Sequence, residues 1–371
     1  MIHHLRDSGL RLRQEQEDVT MQHGGNVWEG GEPTQWLDYS ANLRPEGIPA
    51  WVRERMGRGL TDARYYPDLA MRGARSSLAA FAGVAGNCLL PTAGGIAAID
   101  LACALAAGRV LIMPPTFGEY VRRARAHGHE TAVYAGPGSR AWGDLTRGGF
   151  GPVETELRAG DTLFVCNPNN PTGEALTRDE VLALAEYARA RGASLVVDEA
   201  FIDYCPELSV RAVAARGELP LIVVASLTKV LSVPGARLGY MVAGAELIER
   251  AERLALPWAL NSCAACIAEG VAAHAPDIAA ENGLNVKRRQ AFERALSELG
   301  VHVYPSRANF LLLRFERSAE DLARQLKQQR ILTRDCASFG VLDERYMRIA
   351  VKTDAENRHF VDVLRDALAE S

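Results

Sequence analysis

The most informative stretch of the chain is residues 226–240, which read SLTKVLSVPGARLGY. The apolar run at residues 221–225 comes directly before it, and such a run is typical of a buried strand. Lys229 therefore lies just past the end of a predicted strand, among small hydroxyl residues. Arg237 follows eight residues later in a turn that contains glycine and proline. The stretch thus predicts two cations near one strand end.

An ammonium group at a strand end is costly to bury unless a partner or a covalent bond accounts for it. A Schiff base would do so, because carbonyl cofactors react with a lysine whose pKa is lowered by burial. The hydroxyls of Ser226 and Thr228 and the guanidinium of Arg237 could then hold an anion such as a cofactor phosphate. Taken alone, the stretch is also compatible with a solvated turn that carries a lysine and an arginine.

Two further segments place polar side chains at the ends of predicted strands. The run CNPNNPTG at residues 166–173 follows the strand-like residues 162–165, and its Asn, Pro and Gly content is typical of a loop. Asp198 and Glu199 stand at the end of another apolar strand, within the run LVVDEAF at residues 195–201. Because ligands bind at the carboxyl ends of strands in open α/β sheets, these segments predict a ligand site there.

The order of these segments resembles a known enzyme family. An Asn-rich loop, an Asp and a Lys with Ser and Arg around it are similar to the site of fold type I pyridoxal-phosphate enzymes, specifically the class I and II aminotransferase-like group. Shorter segments narrow the resemblance to the threonine-phosphate decarboxylase branch of cobalamin biosynthesis, which is closely related to histidinol-phosphate aminotransferases. These segments are HGGN at 23–26, LDYSAN at 37–42, RYYPD at 64–68, SRANFLLL at 306–313, RILTRDC at 330–336 and YMRIA at 346–350.

The resemblance implies an α/β chain of fold type I, in which a large domain with a mostly parallel seven-stranded sheet carries a smaller α+β domain. We expect an N-terminal arm at residues 1–45 that contributes to the small domain and the substrate site. A large pyridoxal-phosphate-binding domain would follow at residues 46–260, and a small C-terminal domain at residues 261–371.

The hydrophobic pattern agrees with this organisation, because apolar runs alternate with amphipathic stretches, as a parallel sheet with crossover helices requires. In the first part of the chain the predicted strands are 109–113, 162–166, 194–198, 221–225 and 238–243, and the predicted helices include 95–107, 117–128 and 177–191. After Pro257 the pattern changes. There it predicts a long helix at 283–299, strands at 301–304, 309–314 and 346–351, and helices at 318–329 and 355–369.

The resemblance also implies roles for individual residues. Lys229 would bind the cofactor covalently and then act as acid and base, and Asp198 would keep the ring nitrogen protonated. Asn170 would donate to the 3-oxygen of the cofactor and contact the substrate, and Phe117 would stack on the ring. The cofactor phosphate would be held by Gly94, Gly95, Ser226, Thr228 and Arg237, with Tyr66 reaching it from the neighbouring subunit of a homodimer with shared active sites.

Two positions depart from the family pattern. The glycine-rich phosphate segment usually carries a polar residue after its glycines, whereas Ile96 stands there in this chain. Backbone N–H groups at the start of the following helix could still bind phosphate, so we expect weaker cofactor binding rather than none. Phe201 stands where many relatives have a tyrosine. Because it lacks a hydroxyl, we expect a changed pKa for the imine nitrogen that joins Lys229 to the cofactor.

The same branch implies a substrate with a carboxylate and a phosphate ester. Arg348 matches the position that clamps the α-carboxylate, and Arg334 with His23 and Asn42 would bind the phosphate. We therefore expect decarboxylation of O-phospho-L-threonine to (R)-1-amino-2-propanol O-phosphate for the cobalamin nucleotide loop. The alternatives are a histidinol-phosphate-type aminotransferase, an O-phospho-L-serine decarboxylase and a catalytically idle module that uses the same fold for binding or regulation.

The bulk composition is compatible with this interpretation. The chain of 371 residues has 48% hydrophobic and 24% charged residues, which is typical of a soluble globular protein. Its net charge of −4 gives no reason to expect nucleic acid or an anionic membrane as a partner. The seven cysteines lack a disulfide-framework spacing and the first twenty residues lack an apolar run, so we expect a cytoplasmic protein.

Overall fold

The computed structural model of the chain describes residues 24–28, 31–133, 153–339 and 341–369. Its largest feature is a seven-stranded sheet. In spatial order the strands are β2 (Leu89–Thr92), β8 (Gly239–Val242), β7 (Leu221–Ser226), β6 (Ser194–Asp198), β5 (Thr162–Cys166), β3 (Val110–Ile112) and β4 (Thr131–Val133). Strand β8 is antiparallel to both of its neighbours, and the other pairs are parallel. The predicted fold class is therefore confirmed.

Helices cover the two faces of this sheet. One face packs against α1 (Ala50–Asp62), α2 (Arg72–Ala82), α6 (Arg178–Ala190) and α9 (Ser262–Gly270), together with the short helices α5 (Val153–Glu156) and α7 (Arg211–Ala214). The other face packs against α3 (Gly95–Leu105), α4 (Glu119–Ala126) and α8 (Ala245–Leu254). Side chains alternate between the two cores along each strand, so Leu195 and Val197 face the first core and Val196 faces the second. Among the described residues no helix is both long and apolar enough to cross a membrane.

The predicted elements agree best with the structure at the centre of the sheet. Strands β5 and β6 have the predicted bounds, and α6 begins with a capping box, in which the Thr177 hydroxyl accepts from the Glu180 N–H. The sequence pattern does not predict the edge strands β2 and β4. Strand β4 is only three residues long, and Pro91 interrupts the apolar pattern of β2, which is tolerated at a sheet edge.

A second, antiparallel sheet lies in the C-terminal part of the chain. Its strands, in spatial order, are β12 (Arg334–Asp335), β13 (Tyr346–Ala350), β10 (Phe310–Arg314) and β9 (His302–Val303). Its core includes side chains of the helices α10 (Ala275–Glu298), α11 (Ala319–Gln328) and α12 (Asp354–Ala369). Helix α10 begins earlier than the predicted residue 283. The domain bounds at 45 and 260 remain predictions, and α9, just past residue 260, packs against α1.

A short N-terminal stretch joins the two sheets, and we name residues 37–44 the connecting segment. At its start, β1 (Leu37–Asp38) pairs in parallel with β11 (Ile331–Leu332), and the Tyr39 carbonyl accepts a hydrogen bond from the Ala350 N–H at 2.9 Å. At its end, the Arg44 N–H donates to the main-chain carbonyl of Lys229 at 3.1 Å. The connecting segment is therefore hydrogen-bonded to β13 and to the predicted catalytic lysine.

Candidate active site

Asp198 is the last residue of β6 and lies buried at the carboxyl end of that strand. The Tyr120 hydroxyl donates to its Oδ2 at 2.7 Å, and the Ala200 N–H donates to its Oδ1 at 2.9 Å. Burial raises the pKa of Asp198 to about 6, although both donors and the nearby Lys229 favour the ionised form. A cation placed against this carboxylate would therefore be strongly favoured.

Lys229 follows β7 directly, in a turn at the same edge of the sheet as Asp198. Burial, together with the positive charges of Arg348 and Arg237, lowers the pKa of its amine to about 8, and Asp198 opposes this effect. A substantial fraction of the amine is then neutral near physiological pH. The neutral form is the one that attacks a carbonyl carbon, so this lysine is suited to the predicted covalent role.

The predicted phosphate residues converge at the start of α3. Gly94 has a φ of +79°, and a Cβ built on it would lie 2.8 Å from Nη2 of Arg237. A Cβ on Gly95 would lie 3.2 Å from the Cβ of Ser226. The hydroxyl of Thr228 is buried and has no hydrogen-bond partner among the described residues. The start of α3, the Ser226 side chain and the Arg237 guanidinium thus lie around one place, as an anion requires.

Arg348 is buried in β13 and is held by two acceptors. Its Nη1 donates to Oδ1 of Asn170 at 2.5 Å, and its Nη2 donates to the carbonyl of Ser40 at 2.6 Å. Its Nε is buried and has no partner within the described part of the chain. Burial lowers the pKa of Arg348 to about 10. Because Asn170 accepts through its oxygen, its Nδ2 amide is left to donate, as the predicted contact with a cofactor oxygen requires.

Arg334 is the register partner of Arg348 in the β12–β13 pair, and it is also buried. Its Nη2 donates to the Ser338 hydroxyl at 2.7 Å, and its guanidinium lies 5.4 Å from the ring centroid of Phe339. Burial lowers the pKa of Arg334 from its ordinary value. The structure therefore brings both predicted substrate arginines to one place.

Asn42 belongs to the connecting segment and is buried, with its side-chain oxygen lacking a partner among the residues described. Its main-chain carbonyl accepts from Nδ2 of Asn309 at 3.1 Å, and the same amide contacts the Tyr204 hydroxyl at 3.1 Å. The sequence pattern assigns no role to Tyr204 or Asn309. A signal exists for Asn309, since a polar residue at the start of an apolar strand indicates a buried hydrogen-bonding role.

The two predicted aromatic neighbours of the cofactor occupy different surroundings. Phe117 is partly buried, and its ring meets that of Tyr120 edge-on at 5.6 Å, which places it near Asp198. Phe201 is buried and packs edge-on against Phe310 at 4.9 Å, so its ring fills the core where a tyrosine hydroxyl would need a partner. Ile96, in the first turn of α3, packs against the sheet core on that face.

Two predicted residues do not join the others. Tyr66 is 81% exposed, and its ring lies 4.8 Å from that of Trp258 at a groove of about 460 Å³. The groove is lined by residues 59, 63–67, 258 and 260–263, and none of the phosphate residues lines it. A role for Tyr66 in this site would therefore have to come from a second subunit. His23 lies outside the described residues.

The residues present fit pyridoxal 5'-phosphate. The buried hydroxyl of Thr228 has no partner among the described residues, Asp198 is a buried carboxylate that would suit a cationic ring nitrogen, and Lys229 has a lowered pKa. The fold and this donor set define a pyridoxal-phosphate enzyme of fold type I.

Comparison with known proteins gives the family. The profile of the family "Aminotransferase class I and II" matches residues 41–364. The threonine-phosphate decarboxylase of Salmonella typhimurium is 35% identical over 354 residues, which are 93% of this chain and 96% of its own. The histidinol-phosphate aminotransferase of Aeromonas hydrophila is 31% identical over 91% of this chain and 92% of its own. The crystal structure of L-threonine-O-3-phosphate decarboxylase from Porphyromonas gingivalis has a TM-score of 0.79 and 29% identity, covering 90% of this chain and 99% of its own.

The chain therefore belongs to the class I and II aminotransferase family. The cofactor of this family is pyridoxal 5'-phosphate, and the chain is an enzyme that depends on it. The relatives named above are two decarboxylases and one aminotransferase, so membership alone leaves the reaction type to be argued from the site.

Proposed function

We propose that this enzyme decarboxylates O-phospho-L-threonine to (R)-1-amino-2-propanol O-phosphate, a linker for the cobalamin nucleotide loop. The observation that carries the proposal is the pair of buried arginines, Arg334 and Arg348, which lie side by side without an acidic ion-pair partner among the described residues. Two adjacent guanidinium groups suit a small molecule with two anionic groups, such as a carboxylate and a phosphate ester. The decarboxylase of Salmonella typhimurium at 35% identity supports this choice.

When bound, the cofactor would supply an acceptor for the electron pair that departing carbon dioxide leaves at the substrate Cα. Arg334 would hold the phosphate and so set the rotation of the substrate about its Cα. Arg348 would contact the carboxylate while Asn170 and Ser40 hold its guanidinium fixed. The bond between Cα and the carboxylate carbon then breaks, and carbon dioxide leaves.

The position vacated at Cα has to receive a proton. Lys229 is suited to deliver it, because a pKa of about 8 lets its amine both bind and release a proton near neutrality. Asp198 would meanwhile hold a proton on the ring nitrogen, and its own burial makes a cationic partner favourable. Lys229 and Asp198 would act at different atoms. They lie next to each other because β6 and β7 are neighbouring strands that end at the same edge of the sheet.

A histidinol-phosphate-type aminotransferase is the second candidate, and the 31% identity to the enzyme of Aeromonas hydrophila favours it. Arg334 would serve its phosphate equally well. An O-phospho-L-serine decarboxylase is a further candidate, whose substrate lacks one methyl group of O-phospho-L-threonine.

The deciding experiment offers the purified enzyme each of the three phosphorylated amines and follows carbon dioxide release separately from amine transfer to 2-oxoglutarate. We expect carbon dioxide from O-phospho-L-threonine with the highest kcat/KM, and amine transfer as the main activity would reject the proposal.

We also propose that the enzyme is a homodimer with shared active sites. Tyr65, Tyr66 and Trp258 expose 60%, 81% and 44% of their surface around one groove. Large apolar side chains that line a single groove are typical of a surface covered by a partner chain. A second copy would bury them and could bring Tyr66 to the phosphate site of the neighbouring subunit.

The expected location remains the cytoplasm. All seven cysteines carry free thiols, which a reducing compartment maintains.

A further inference from the structure

Tyr120 contacts Asp198, and no sequence pattern assigns Tyr120 a role in the site. Tyr120 is fully buried in the first turn of α4, where Phe117 meets its ring at 5.6 Å and Phe164 at 5.3 Å. These aromatic contacts fix the ring and aim its hydroxyl at Oδ2 of Asp198, 2.7 Å away. A buried hydroxyl that donates to a buried carboxylate stabilises the ionised form of that carboxylate.

The other groups that face Asp198 cannot replace this donor. The Ala200 N–H donates to Oδ1 and leaves Oδ2 to Tyr120. Cys166, on the adjacent strand, keeps its proton because burial raises the pKa of its thiol, and that thiol donates to the Pro168 carbonyl at 3.2 Å. Lys229 contributes a positive charge from the turn after β7, but it makes no hydrogen bond to Asp198 among the described residues, and its charge is lost when its amine is neutral. Tyr120 is thus the side-chain donor to this carboxylate among the described residues.

We propose that Tyr120 is a positioning residue that keeps the proton shared between Asp198 and the ring nitrogen of the cofactor on the nitrogen. The inference rests on the proposed role of Asp198 but is independent of which phosphorylated amine is the substrate. A carboxylate and a pyridine nitrogen compete for one proton, and a hydrogen bond to the carboxylate makes it the weaker base. Without the hydroxyl, Asp198 becomes more basic and takes the proton, which leaves the ring nitrogen neutral and a poorer electron acceptor.

The test compares wild type with Y120F, in which the ring packing is retained. The enzyme is loaded with cofactor labelled with ¹⁵N at the ring nitrogen, and the ¹⁵N chemical shift reports protonation without any need for turnover. We expect the Y120F signal to move towards the neutral pyridine value, and kcat to fall about tenfold with a smaller change in KM. D198N serves as the reference for a nitrogen that has lost its anionic partner. Y39F is the matched control, because Tyr39 is a buried tyrosine in the core of the C-terminal sheet.

A second measurement uses the protein without cofactor. If Tyr120 favours ionised Asp198, Y120F should lose more stability relative to wild type at about pH 8 than at about pH 5. If Y120F keeps the wild-type ¹⁵N shift while D198N changes it, the role of Tyr120 is overturned and that of Asp198 survives. If D198N also keeps the wild-type shift, the role of Asp198 fails as well. A Y120F variant that is merely less stable, with equal losses at both pH values and an unchanged ¹⁵N shift, would make Tyr120 a packing residue only.

Discussion

Arg334 and Arg348 lie directly opposite each other in the β12–β13 pair, and both are buried. Each is fixed by neutral acceptors: the Ser338 hydroxyl holds Arg334, and the Asn170 oxygen and the Ser40 carbonyl hold Arg348. Neutral acceptors orient a guanidinium without cancelling its charge. Each of the two buried positive charges increases the free energy that it costs to bury the other. An anionic substrate between them would lower that cost.

The first prediction concerns Arg334. A guanidinium paired with a phosphate dianion is worth ~2–4 kcal/mol after desolvation, so R334A should lower kcat/KM for O-phospho-L-threonine by about thirty- to a thousand-fold. Because the phosphate also sets the rotation about Cα, the remaining activity should shift from carbon dioxide release towards slow transamination. Both products are measured on the same variant. R314A on β10 is the control, since Arg314 pairs with Glu316 at the surface. Unchanged efficiency of R334A would remove Arg334 from the substrate site.

The second prediction concerns Lys229. The purified enzyme should be yellow, and borohydride should fix the cofactor to Lys229, because a lowered pKa makes its amine the reactive one. K229A should lose this label while its circular dichroism and melting temperature stay close to those of wild type. K327A, which removes a lysine in the last turn of α11, should keep the label. Peptide mapping that finds the label on another lysine would contradict the assignment.

The third prediction concerns Asp198. D198N should still bind the cofactor but lose about a thousand-fold or more in rate, since a neutral amide cannot hold the ring nitrogen protonated. Cofactor affinity is measured by fluorescence quenching and the rate by carbon dioxide release. A rate within about tenfold of wild type would rule out the electron-acceptor role of this residue.

The fourth prediction tests the shared site. If Tyr66 serves the neighbouring subunit, K229A and Y66A chains mixed after unfolding should regain activity that neither parent has. Random pairing then gives about a quarter of the sites with both residues intact. Sedimentation velocity should first show that each variant is a dimer. No recovery from a mixture that forms mixed dimers would place Tyr66 outside the site.

The fifth prediction concerns Glu281 on α10, which is buried against Arg44 at 3.1 Å, with Glu46, Arg288 and Tyr204 nearby. Burial raises its pKa from 4.5 to about 7. Between pH 4.5 and about 7 the Glu281 side chain is ionised in the unfolded chain but still protonated in the folded protein. The free energy of unfolding therefore falls as the pH rises through this interval. E281Q lacks this titration and should be more stable than wild type by about 1–3 kcal/mol at about pH 8, with little difference at about pH 4.5.

Denaturant unfolding at the two pH values measures this difference. E249Q on α8 is the control, because Glu249 exposes 68% of its side chain. A pH-independent difference between E281Q and wild type would show that folding does not raise the pKa of Glu281.

Sequence patterns predict the centre of the molecule better than its edges. Central strands such as β5 and β6 are continuous apolar runs because both faces are buried, and such runs are visible in a sequence. Edge strands need only one partner, so β4 can be three residues long and β2 can contain Pro91. The sequences of β2 and β4 are therefore hard to distinguish from the sequence of a loop.

The candidate site shows the same limit. Lys229, Asp198 and Asn170 all follow apolar runs, and a polar residue at a strand end is a recognisable signal in the sequence alone. Tyr120 lies on the apolar side of an amphipathic helix, where an aromatic residue normally indicates core packing. Only the packing of α4 on the sheet shows that the Tyr120 hydroxyl reaches the Asp198 carboxylate. Long-range geometry of this kind is a property of the packed fold and not of a local pattern.

The connecting segment has a consequence for where the protein can begin. A polypeptide that started after Arg44 would keep the seven-stranded sheet and both substrate arginines, yet it would lack the Ser40 carbonyl that holds Arg348 and the N–H that binds the carbonyl of Lys229. Such a shortened product would still be able to bind pyridoxal phosphate at α3. Its yellow colour would then suggest an intact enzyme, and only a measurement of turnover would show that the connecting segment is missing.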